Sequence, residues 1–82
     1  MAWTSGSGTI VPGASQDWWF AFGGNGDVGP QLIQAKPTAA SGELSTTVIA
    51  ESLGTDGHIT YHATVRNDGP NAVAFQWRGG GF

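Results

Sequence analysis

The pair Trp18-Trp19 carries the most pointed chemical signal in the chain. On a β-strand, neighbouring side chains face opposite ways, so both indoles cannot enter one core layer. Trp18 shares its face with Phe20 and Phe22, and that face is expected to point inward. Trp19 then stands outside with Asp17 and Ala21. An outward indole offers a flat π-face on which the C–H face of a sugar ring can stack. Asn, Asp, Gln and Arg side chains can read the sugar hydroxyls. Asn25 and Asp27, two apart in the Gly-rich stretch 23–29, follow Trp19 closely, and Gln76 and Arg78 are expected to face outward from the last strand. Trp19, Asn25, Asp27, Gln76 and Arg78 therefore make a carbohydrate-binding set. Trp19 equally suits burial against a neighbouring subunit or against Trp3.

Other chemistry finds less material. His58 and His62 have the spacing that shares a zinc ion on a helix, but on a strand they lie about 13 Å apart, too far for one metal. They read as solvated histidines on a polar face. The six carboxylates are scattered, and most sit at strand ends or in turns, with no pair at glycosidase spacing. No G-x-S-x-G elbow is present. The 23–29 loop lacks the remaining ligands of a calcium loop and the Lys-Ser/Thr of a phosphate loop; its bland reading is a long hairpin turn. Without cysteine there is no thiolate nucleophile, metal ligand or disulfide. A non-catalytic protein with no cofactor and no bound metal is expected.

Charge narrows the partners further. The chain has three basic and six acidic residues, a net charge of −3. Three basic side chains cannot neutralise a run of phosphates, which argues against nucleic acid, and no polybasic cluster serves an anionic membrane. No apolar run approaches the ~20 residues of a membrane-spanning helix, so membrane insertion is not expected. The first residues lack the basic and apolar regions of a signal peptide. The compartment is left open.

These groups must be held by strands. Fourteen glycines in 82 residues oppose long helices, because each interior Gly costs roughly 1 kcal/mol relative to Ala. They cluster between apolar runs, as turns between short strands do. The clearest strand is residues 58–67, where Ile59, Tyr61, Ala63 and Val65 alternate with His58, His62, Thr64 and Arg66. Turn residues bracket it at 54–57 and 68–71, which predicts a hairpin partner on each side. Further strands are expected at 1–4, 9–11, 17–22, 31–36, 43–52 and 72–78, with Gly6-Ser7-Gly8 as a turn. In the 43–52 strand Ile49 breaks the alternation, which a bulge or two-sided burial would explain. Six or seven short strands in one domain, residues 1–82, read as an all-β antiparallel sandwich or small barrel. The last three are expected to form a meander, with Tyr61 beside Trp77, Ala63 beside Phe75 and Val65 beside Val73.

Residues 59–72 contain Tyr61, Val65, Asn67, Gly69 and Pro70 in the order Y-x-x-x-V-x-N-x-G-P. This stretch resembles the strand–turn–strand of immunoglobulin-like surface repeats of bacteria, of the CARDB type. The resemblance implies a β-sandwich and an adhesive or stalk-like role, and it carries no catalytic residue. A second functional class follows, a structural or self-assembling subunit. Trp3, Trp19 and Phe82 have no obvious place in one small core, and Gly79-Gly80-Gly81 would tether Phe82 flexibly. A homo-oligomer is therefore expected, dimer or trimer.

Overall fold

The computed structural model describes residues 2–22 and 27–81. Its elements are β1 (Ala2–Ile10), β2 (Ser15–Phe20), β3 (Gln31–Pro37), β4 (Leu44–Leu53), β5 (Ile59–Asn67) and β6 (Val73–Gly81). All pairings are antiparallel. One sheet has the order β1-β6-β3 and the other β2-β5-β4. The two stack as a sandwich, and no helix occurs among the described residues.

The core follows from the alternation. Tyr61, Ala63 and Val65 of β5 face Val73, Phe75 and Trp77 of β6, and all six are buried. Ile10, Phe20 and Ile33 complete the layer. Trp77 meets Phe20 and Phe75 edge-on, at 79° and 90° between ring planes. Such aromatic pairs contribute roughly 0.5–1.5 kcal/mol beyond their buried area.

The expected meander does not form. β5 pairs with β4 through the 54–57 hairpin, but its other neighbour is β2, and β6 crosses to the opposite sheet. Tyr61 and Trp77 thus line the core from opposite sheets rather than standing side by side in one. Packing explains the difference. Both strands carry a large apolar face, and in one sheet those two faces would lie in the same plane with too little chain left to cover them. As facing strands, each buries the other.

Asn67 fixes the crossing. It is 1% exposed, and its side chain donates to the carbonyls of Ile10 (2.9 Å) and Asn71 (2.7 Å) while accepting from the Gly69 amide (2.9 Å). Its backbone amide donates to Ala14 O, and its carbonyl accepts from Gly13 N. The 68–71 segment is therefore an arch between sheets rather than a hairpin.

Two glycine stretches also depart from expectation. Gly6-Ser7-Gly8 is not a turn. β1 runs through it with a bulge between Ser5 and Ser7, and Gly6 has φ 65°. The Trp18 ring lies where a Cβ on Gly6 would fall, 2.8 Å from that position. Gly79-Gly81 is not a tether either, because these residues continue β6, Gly79 and Gly80 pairing with both β1 and β3 and Gly81 with β3. Trp3 finds a place inside, packed on Phe20 and Phe22 over Gly79, with its Nε1 donating to Gln31 Oε1 at 3.0 Å. The irregularity at Ile49 is a bulge, located between Thr46 and Val48.

Candidate functional site

β2 places Phe20 in the core and Trp19 outside, 67% exposed. Register then sets its neighbours on the outer face of β2-β5-β4. Trp19 stands opposite His62 of β5, which stands opposite Ala50 of β4. The next row is Asp17, Thr64 and Val48. Directly paired side chains have Cβ atoms about 5 Å apart, and Asp17 lies about 6.6 Å from Trp19 along its strand. The small Ala21 follows just beyond the end of β2, and the exposed indole is open to a flat ligand.

The polar groups on this face are ordered. Thr64 Oγ1 donates to Asp17 Oδ1 at 2.8 Å, and Ser52 Oγ lies 2.9 Å from His62 Nε2. Both pairs are exposed, and each keeps further donor or acceptor capacity. At the far end of β5, Arg66 Nε sits 3.5 Å from Asp68 Oδ1. The face near Trp19 thus combines an apolar platform with a carboxylate, an imidazole and two hydroxyls.

The other expected site residues lie elsewhere. Gln76 and Arg78 are exposed on β6, and their row partners are Ser7 and Lys36, and Thr4 and Gln34. They occupy the outer face of the opposite sheet, with the core between them and Trp19. One ligand cannot touch both sets, because the inward direction of Phe75 and Trp77 forces Gln76 and Arg78 away from β2-β5-β4. Asp27 is exposed, and its Oδ1 accepts from Gly29 N at 3.2 Å. Its loop is pinned at one end of the sandwich by Tyr61, whose hydroxyl donates to Gly29 O and accepts from Val28 N. Asn25 lies outside the described residues.

Asp17, His62, Thr64 and Ser52 were the members missed. Alternation alone puts Asp17 beside Trp19. His62 needs the β2–β5 register, which no local pattern reveals. His58 precedes β5 and pairs with Asp56, Nδ1 to Oδ2 at 3.2 Å. Among the described residues no three His, Cys, Asp or Glu side chains gather as a metal site. No protein-family model, curated protein or solved structure matches the chain.

Proposed function

We propose that the protein is a non-catalytic carbohydrate-binding module that uses the outer face of β2-β5-β4. The observation that carries this reading is Trp19, an exposed indole with His62 directly opposite it and Asp17 two residues along its strand on the same outer face. A pyranose stacked on the indole would set its C–H face against the ring. Its equatorial hydroxyls would then reach the Asp17 carboxylate as donors and the His62–Ser52 pair as donors or acceptors. A flat surface of this kind suits an extended or terminal sugar more than one that needs enclosing. The four-residue set replaces Gln76 and Arg78 of the sequence reading, while Trp19 stays at its centre.

The test is a glycan array followed by titration of the tryptophan fluorescence with each hit. Binding should shift the emission. Trp19→Ala should weaken binding about tenfold or more, the equivalent of roughly 1.4 kcal/mol, and Asp17→Asn should weaken it without unfolding the domain. A blank response across a broad panel sinks the reading. So does binding that survives Trp19→Ala.

A further inference from the structure

The β4 edge is the least protected part of the sandwich. Val48, Ile49 and Leu53 are 51%, 47% and 71% exposed, and they fall within six residues of one strand. β4 pairs with β5 alone, so alternate backbone N–H and C=O groups on its other side have no strand partner. The other three edges carry devices that discourage pairing. β1 is interrupted by its bulge at Gly6, β2 is six residues long and carries Asp17, and β3 ends in Lys36-Pro37. The β4 bulge is confined to Thr46/Val48, and the remaining run Val48–Leu53 is regular, with no Pro, Lys or Arg and only Glu51 charged. Beside it, an open groove of about 400 Å³ separates β4 from β3, lined by Leu32, Ile33, Ala35, Leu44 and Ile49 among others.

We propose that the free edge of β4 pairs antiparallel with β4 of a second copy, joining two β2-β5-β4 sheets into one six-stranded sheet. The charge pattern argues for a second copy as the occupant. A two-fold pairing must centre on a residue for the faces to match, because side chains alternate with period 2. Centred on Glu51, two carboxylates would oppose each other, which is unfavourable. Centred on Ile49, Ile49 meets its own copy, Val48 meets Ala50, and Glu51 falls opposite Thr47 at the bulge. That register is self-complementary and leaves no like charges facing. A basic partner would find one carboxylate on the whole strand, and an acidic one would find no cation.

The size of the flank agrees. A ten-residue strand is about 33 Å long, and two stacked sheets are about 20 Å deep, a projected area near 660 Å². A standard interface takes about 800 Å² from each partner. Leu32 and the groove supply the second layer of contact. The two-fold axis stands perpendicular to the joined sheet, so both Trp19 side chains lie on the same side of it. Five strand spacings separate them, about 24 Å. The homo-oligomer expected from sequence thus gains a candidate surface on β4, and Gly79–Gly81 belong to β6 rather than to a tether, while Phe82 lies outside the described residues. The inference goes beyond the glycan reading and does not depend on it.

Light scattering and sedimentation from low to high micromolar concentration test the proposal. The mass should rise from one chain to two, and Ile49→Lys should hold it at one chain with an unchanged β circular dichroism spectrum. If Ile49→Lys fails to fold, amide hydrogen exchange on the wild type decides. Amides within Val48–Leu53 should gain protection at high concentration, and those of β1 and β3 should not gain comparably. A protein that stays monomeric, a dimer that survives in folded Ile49→Lys, or protection gained on another edge instead overturns the proposal. Trp19→Ala should leave the dimer intact, so that loss of sugar binding and loss of assembly are read separately.

Discussion

The Asn67 side-chain amide donates to the Ile10 carbonyl at 2.9 Å, across 57 positions of sequence. This contact ties the end of β5 in one sheet to the end of β1 in the other, at the point where the chain crosses over. The same amide holds Asn71 O and accepts from Gly69 N. Three backbone groups therefore depend on one buried side chain. Asn67→Ala strands them, and at about 1 kcal/mol for each hydrogen bond the expected loss is about 2–4 kcal/mol, measured by urea denaturation.

Asn67→Asp separates donor from acceptor. A carboxylate can still accept from Gly69 N but meets the two carbonyls as an unpaired charge. Burial beside carbonyl oxygens raises its pKa above the unfolded value. The native state then holds the proton, and the stability that comes with it is present at low pH and is lost as pH rises through the folded pKa. Asn67→Asp should therefore lose more stability relative to Asn67→Ala at pH 7 than at pH 4. Parallel pH dependence in the two variants would contradict the assignment.

Gly79 and Trp3 make a second test. A Cβ on Gly79 would press on the Trp3 ring and stand 2.5 Å from Leu32 O, a backbone atom of a paired strand that cannot step aside. Alanine favours a strand more than glycine does, by under ~1 kcal/mol. The clash outweighs that gain. Gly79→Ala is expected to cost about 2 kcal/mol, which in a domain this small lowers Tm by about 8–16 °C. Equal or raised Tm in a thermal scan would show that Trp3 is not seated over β6.

Much of the fold is legible in the residues, and where it is not the cause is long-range packing. β5 and β6 read clearly because each buried position alternates with an exposed or half-buried one, from Tyr61 to Asn67 and from Val73 to Trp77. The β4–β5 pairing was legible from the 54–57 turn, whereas the other partners of β5 and β6 were not. Gly69-Pro70 suits a hairpin and an arch alike, and Asn67 decides between them only once Ile10 is within reach. Gly6 and Gly8 read as turn residues because glycine's missing side chain usually serves the backbone. Here the missing Cβ makes room for Trp18 and Phe75 within a strand, and the positive φ of Gly6 serves a bulge rather than a turn. The site followed the same rule. The outward facing of Trp19 came from period 2 alone, whereas its neighbour His62 and the separation of Gln76 and Arg78 came from sheet membership.

Tyr61 links the core to the loop after residue 26. Its ring is 1% exposed, and its hydroxyl bonds Gly29 O at 2.8 Å and Val28 N at 3.1 Å. Tyr61→Phe keeps the ring contact with Phe22 and removes both bonds. A loss of about 1–3 kcal/mol is expected, together with faster exchange of the Val28 amide. Unchanged Val28 exchange would show that the hydroxyl does not anchor the loop.

Trp18 and Trp19 are adjacent, identical in type and opposite in consequence. Trp18 lies 5.9 Å from Phe75 and 6.0 Å from Trp77 between ring centroids, and its Nε1 donates to Gln16 Oε1 at 3.2 Å. Gln16 Nε2 in turn donates to Thr9 O at 3.0 Å, so this side chain helps close the β1–β2 flank of the sandwich. Trp18→Ala opens a cavity over Gly6 and Gly8 and is expected to cost about 3 kcal/mol. Trp19→Ala removes an exposed ring with no hydrogen bond among the described residues, so its effect should stay within about 0.5 kcal/mol. Chemical denaturation of the two variants, side by side, measures the contrast directly. Fluorescence adds an independent readout. Trp19 should supply the red-shifted, quencher-accessible component of the emission, and Trp19→Ala should remove it while Trp18→Ala should not. Similar stability losses in the two variants, or a quencher-accessible component that persists without Trp19, would mean that β2 faces the other way, and with it the binding face would move to the residues around Trp18.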